Sequence, residues 1–119
     1  MTIEIIGRVV LALLLVMSGV THFTKMKMMV QMMSAKRMPM PGLMSAITGL
    51  VLIAGGLGIG FWFMPVISMW LIIGFLTLAS LMVHDFWKMQ GEAKMQNMHH
   101  FMGNMMLAAS LLILVSMIG

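Results

Sequence analysis

Apolar residues fill this chain in four long blocks, separated by two polar stretches and one short aromatic turn. Between Met38 and His84 there is no Asp, Glu, Lys or Arg, a run long enough to cross a bilayer and return. The blocks predict membrane spans at 5–23, 43–61, 66–84 and 100–118. Each is about 19 residues, which at about 1.5 Å of rise per residue reaches roughly 28 Å, close to the hydrocarbon thickness. Pro65, preceded by Phe61, Trp62 and Phe63, predicts a tight turn between spans two and three, seated in an interfacial aromatic belt.

The stretch 24–42 has a pattern of its own. Met26, Met29, Val30 and Met33 fall at i, i+3, i+4 and i+7, with Lys25, Lys27, Gln31, Ser34 and Lys36 on the remaining surface. This predicts a short amphipathic segment lying in the interface plane. Pro39 and Pro41 stop it, and Gly42 permits the bend into span two. Within that span, Gly56 and Gly60 are spaced for close approach of another helix, either inside the bundle or across a dimer face.

Composition agrees with the pattern. The chain is 61% hydrophobic and 8% charged, with a mean hydropathy of +1.06, far outside the soluble range. The fold class is therefore all-α: an integral membrane four-helix bundle in a single domain, with the amphipathic segment between spans one and two. The bilayer is its first partner. Arg8 ahead of an apolar run and the small residues Ser18, Gly19 and Val20 imitate a signal peptide, but Glu4 beside Arg8 makes a poor basic leader, so the first block reads as a retained span. There is no cysteine to form a disulfide or thiolate site. The net charge of +4 implies a topology signal rather than a nucleic-acid partner. Lys25, Lys27, Lys36, Arg37, Lys88 and Lys94 lie in the two longer loops, against Arg8 on the other side. Positive charge on the inner face then predicts both loops in the cytoplasm and both termini outside.

Few residues are available for chemistry. Asp and Glu number three, and no nucleophile triad, phosphate loop or carboxylate pair is visible. Methionine numbers 20, with eight residues in 26–44 and six in 89–106. Thioethers suit Cu(I), and Met95, His99 and Met102, with Met98 alongside, fall at helical spacing as a copper-binding face. Methionine also serves as adaptable packing at helix ends, which needs no metal. His84, at the end of span three, is placed either as a proton carrier or quinone hydrogen-bond donor, or as an interfacial histidine reaching water. His22 sits on the same side of the membrane. Asp85 has Lys88 three residues on as a helical-turn partner. If the first loop folds back over the helix ends, Lys25, Lys36 or Arg37 meets Asp85 instead. Asn104, inside span four, requires an interhelical hydrogen bond. Together His84, Asp85, Phe86 and Trp87 read as a docking corner for other membrane subunits.

The order Gly7, Arg8, Val9; Ser18, Gly19, Val20, Phe23; Met38, Pro39, Met40, Pro41, Gly42, Leu43; Thr48, Gly49, Leu50; Gly55, Gly56; His84, Asp85, Phe86, Trp87; and Asn104 resembles the DoxX family of small four-helix membrane proteins. The Pro-x-Pro-Gly lead-in to span two and the His-Asp-Phe-Trp exit from span three are its specific parts, and the resemblance extends over nearly the whole chain. It implies a four-helix bundle and an accessory role in a quinone-linked membrane oxidoreductase assembly, rather than catalysis by this chain alone. A Cu(I)-handling protein and a purely structural helix-packing subunit are the alternatives. Two departures stand out. The resemblance implies an acidic residue where Leu52 stands and a lysine where Gly103 stands, as if a buried charged pair had been lost together.

Overall fold

The computed structural model describes residues 2–118 and is built from helices alone among them. Helix α1 spans Thr2–Thr24, α2 Met26–Ala35, α3 Pro41–Phe61, α4 Pro65–Met82 and α5 Gly91–Ile118, with a 3₁₀ turn at Phe86–Lys88 between the last two. Four of these are long and apolar enough to cross a membrane, and α2 is the short segment between the first and second of them. Proline stands at the first position of both α3 and α4, where its missing N–H costs nothing and its fixed φ suits a helix start. The residues before those prolines, Met40 and Met64, take left-handed conformations that reverse the chain.

Two boundaries differ from the sequence pattern for local reasons. The third span was expected to continue to His84, yet α4 ends at Met82. His84 and Asp85 leave the helix, and partners elsewhere hold both side chains. The fourth span was expected from 100, but its helix begins at Gly91. The polar residues between Gly91 and His100 are helical without being apolar, so hydropathy alone misses them. A 28-residue helix is about 42 Å long, so the polar first turns of α5 extend beyond a 30 Å hydrocarbon layer. Gly91 has φ +67°, a left-handed turn into the helix that glycine accepts without strain.

The core is formed by Leu15 of α1, Leu52 and Ile59 of α3, Met69, Ile72 and Leu76 of α4, and Ala108 and Leu111 of α5. Helices α1 and α3 meet through glycine: a Cβ on Gly19 would lie 2.6 Å from the Gly49 carbonyl oxygen. Gly56 and Gly60 face Leu15 and Ala12 of the same helix, so the Gly-x-x-x-Gly pair is used inside the molecule. At the far end, Arg8 donates to the Gly60 carbonyl and to Glu4, each at 3.1 Å, and lies 4.9 Å from the Trp62 ring centre. One side chain thus closes the carbonyl end of α3 and ties it to α1.

Neighbouring helices touch in the order α1, α3, α4, α5, and no Cα of α1 comes within 8 Å of one in α5 among the described residues. The bundle is therefore open along one side. Helix α2 lies across the end where α1 finishes and α3 begins. Its predicted apolar positions Met26, Met29, Val30 and Met33 are the shielded ones, with Met33 buried, and Lys27, Gln31 and Ser34 are exposed.

Candidate functional site

The chain between α4 and α5 is anchored twice. Asp85 forms an ion pair with Lys36, the residue that closes α2. His84 Nδ1 lies 2.8 Å from Asn97 Oδ1, and the Asn97 amide donates to the Ala93 carbonyl at 2.9 Å. Because that amide nitrogen is committed to a carbonyl, the oxygen faces His84, and the imidazole must be the donor. His84 is also stacked on His100, with centroids 4.9 Å apart and an interplanar angle of 15°. The expected fold-back of the first loop onto Asp85 is thus present through Lys36. The expected Lys88 pairing is not: the Lys88 backbone N–H bonds the Asp85 carbonyl at 3.0 Å, but no ion pair joins the two side chains among the described residues. The 3₁₀ turn, in place of an α-helical one, accounts for this difference, since the i, i+3 side chains of a continuing α-helix are no longer set side by side.

Beyond the ion pair stands an aromatic cluster. Phe86, Trp87 and Phe101 meet edge to face, with centroid separations of 5.5 Å, 5.4 Å and 5.9 Å. Trp87 keeps 49% of its surface exposed. Pro39 is exposed at the turn before α3, and Pro41 is its first residue. Neither is hydrogen-bonded to the corner among the described residues, so their part is to end α2 and start α3, which leaves Lys36 within reach of Asp85.

The open side of the bundle is a cleft of about 720 Å³. Helix α1 supplies Ser18 and His22, α3 Thr48 and Leu52, α4 Phe75 and Ala79, and α5 His100 and Asn104, while Met29 and Met33 of α2 cover one end. His22 Nδ1 donates to the Ser18 carbonyl at 2.9 Å, and its ring meets Phe75 edge-on at 6.2 Å. Asn104 was expected to bond across to another helix. No such bond forms among the described residues, because α5 reaches only α4 and the 3₁₀ turn, and Asn104 faces the cleft instead.

The four residues of the copper-binding face all lie on α5. Met95 and Met102 are 55% and 50% exposed and His99 is exposed, on the outer surface of α5, while Met98 is only half-buried. No group of three or more His, Asp or Glu able to hold a metal occurs among the described residues. Leu52 and Gly103, where the resemblance implies a charged pair, lie on α3 and α5. Leu52 is core on α3, Gly103 faces open space, and no Cα of α3 comes within 8 Å of one in α5 among the described residues. Sequence reasoning overlooked Asn97 and His100. Their signal was available: Asn97, His100, Phe101 and Asn104 fall at i, i+3, i+4 and i+7, a second stripe of α5 opposite the methionine stripe.

No curated protein and no solved structure matches this chain. A family model described as DoxX matches residues 3–85, from the start of α1 through Asp85, and stops before Trp87, Asn104 and all of α5. The resemblance over the rest of the chain therefore stands on individual residues, whereas the matched part exceeds two thirds of the sequence. With four membrane-length apolar helices, this is a multi-pass membrane protein, and it belongs to the DoxX family.

Proposed function

We propose that the protein is an accessory subunit of a quinone-linked membrane oxidoreductase assembly, contributing a docking corner and not the catalytic step. The observation that supports this reading most directly is Trp87: half exposed, yet packed edge to face against Phe86 and Phe101 beside the Lys36–Asp85 pair. A fixed aromatic at an interfacial depth loses little conformational entropy on binding, which is why such residues dominate interfaces. The six Lys and Arg of the α2 and α4–α5 ends favour a cytoplasmic position for the corner, with both termini on the opposite face. Quinone, the carrier implied by the family reading, fits the cleft: its lining combines apolar surface with His and Asn hydrogen-bonding groups and has no Lys, Arg, Asp or Glu.

Purification from native membranes in mild detergent tests the proposal. Wild-type protein should bring down a subunit carrying a redox cofactor, identified by mass spectrometry and its visible spectrum, and Trp87→Ser should lose that subunit while keeping its own melting temperature. Recovery of the wild-type chain alone, or an unchanged partner set with Trp87→Ser, overturns it.

A further inference from the structure

We infer that the α2 end of the cleft binds Cu(I), with methionine thioethers as its main ligands. The inference is independent of the accessory-subunit reading, and it uses none of the α5 residues whose spacing suggested a copper-binding face.

The lining of the cleft is segregated by residue type. Its leucines belong to α1, α3, α4 and α5, and none to α2. Its methionines gather where α2 crosses the bundle: Met28, Met29, Met32 and Met33 from α2, Met38 just before α3, Met44 in the first turn of α3 and Met82 at the last position of α4. Leucine and methionine have nearly the same helix propensity and volume, so a helix that needs only an apolar face has no need of sulfur. Helix α2 nevertheless holds five methionines in its 10 residues and no leucine. Packing does not absorb these side chains. Met33 is buried, but Met29, Met38 and Met44 are only half-buried, and Met28, Met32 and Met82 remain 53%, 38% and 44% exposed.

Spacing makes a shared ion reachable. Met28 and Met32 form one i, i+4 pair on α2, and Met29 and Met33 form another; the Cβ atoms of such pairs lie about 5–6 Å apart on a helix. Each side chain has further rotatable bonds, so the two sulfurs of a pair can converge on one ion. No Cα of α2 comes within 8 Å of one in α4 among the described residues. A metal held by α2 together with Met44 or Met82 would therefore add a tie between α2 and the bundle beside the Lys36–Asp85 pair.

Charge and ligand type then select the ion. No Lys, Arg, Asp or Glu lines the cleft, and Asp85 close by is spent on Lys36. A divalent ion would bring two charges into low dielectric without a carboxylate to offset them, whereas a monovalent ion brings one. No group of three or more His, Asp or Glu able to hold a metal occurs among the described residues, and His22 and His84 each commit Nδ1 to a hydrogen bond. Nitrogen and oxygen donors are thus too few for zinc, while neutral thioethers are plentiful and are the ligands that favour Cu(I).

The experiment uses the tag-free full chain in detergent, titrated anaerobically with Cu(I) in ascorbate against bicinchoninate as a coloured competitor, with Zn(II) as the contrasting probe. A single Cu(I) per chain should be held against the competitor and should raise the melting temperature, and Zn(II) should bind at least a hundred-fold more weakly. Replacing Met28, Met29, Met32 and Met33 together by leucine should weaken Cu(I) binding at least a hundred-fold, because leucine keeps the apolar volume and removes the sulfur. Met44→Leu combined with Met82→Leu should weaken it at least ten-fold. Where the fourfold variant does not fold, Met28→Leu with Met32→Leu, at two exposed positions, should still lose at least ten-fold at an unchanged melting temperature of the metal-free protein. Copper K-edge absorption should show sulfur as the dominant neighbour. A shell of nitrogen and oxygen alone, equal affinity for Zn(II), undiminished binding by the folded α2 variants, or loss of binding in Met95→Leu with Met102→Leu instead each overturns the inference. None of these readouts involves a redox subunit, so the failure of this site and the failure of the docking proposal are seen separately.

Discussion

Replacing Asp85 with Asn tests whether the Lys36–Asp85 pair holds α2 over the helix ends. The side chains are 11% exposed for Asp85 and 25% for Lys36, so the pair lies between two regimes. An exposed pair contributes about 0–1 kcal/mol, while breaking a fully buried one costs about 3–5 kcal/mol because the surviving charge is stranded. Lys36 is long, and a quarter of it already reaches solvent. It can swing its ammonium outward, which removes most of the stranding penalty but also removes the tie to α2. The loss should then be that of a charge-assisted hydrogen bond, about 1.5–3 kcal/mol. The assay is unfolding by SDS titration in mixed micelles, applied to Asp85→Asn, Lys36→Met and the double variant. The cycle should give a coupling energy of at least about 1 kcal/mol, and proteolysis within α2 should accelerate in both single variants. A coupling below about 0.3 kcal/mol with unchanged proteolysis would show that α2 is held by Met29 and Met33 alone.

Packing and the distribution of charge each set further outcomes. Gly19→Val places carbon within 2.6 Å of the Gly49 carbonyl oxygen and should cost about 3 kcal/mol or more, seen as loss of monodisperse protein, whereas Gly103→Ala meets nothing within 4 Å and should be neutral or stabilising by up to about 1 kcal/mol in the same unfolding assay. Arg8→Met removes the cap on the Gly60 carbonyl and the contact with Trp62, and should cost about 1–2 kcal/mol, with Arg8→Lys recovering only part because lysine lacks the planar fork. Reporter fusions should place the Lys88–Lys94 loop in the cytoplasm and both termini outside, and the reverse pattern would refute the sidedness drawn from Lys and Arg counts.

What the sequence reveals here depends on whether a feature is local or set by which helices become neighbours. The apolar face of α2 could be read directly, because Met26, Met29, Val30 and Met33 encode it by spacing alone. The contact between the first loop and Asp85 was readable as a class, since Asp85 and Glu92 are the only acids among six cations at that end. The particular cation was not. It depends on α2 ending at Ala35 and on the left-handed residues Arg37 and Met40 around Pro39, which leave Lys36 closest. The early start of α5 was hidden for a different reason: membrane hydropathy detects burial in lipid, and residues between Gly91 and His100 form helix outside it.

The open side of the bundle had no sequence signature, because a glycine-rich α3 announces close approach without saying to which helix. Once Gly19, Gly49, Gly56 and Gly60 bring α1 and α3 together, α4 is left as the bridge to α5, and no Cα of α5 comes within 8 Å of one in α1 among the described residues. Among the described residues that helix buries only Ala108 and Leu111, both in the core shared with α4. The cleft is therefore a consequence of unequal packing between helices and needs no residue dedicated to opening it. Its two walls also differ in origin. The family model covers α1, α3 and α4 and ends at Asp85, whereas His100 and Asn104 belong to the wall beyond it. Membership in the DoxX family consequently accounts for three of the four long helices and for Ser18, His22, Thr48 and His84 of the cleft lining, but not for His100 and Asn104.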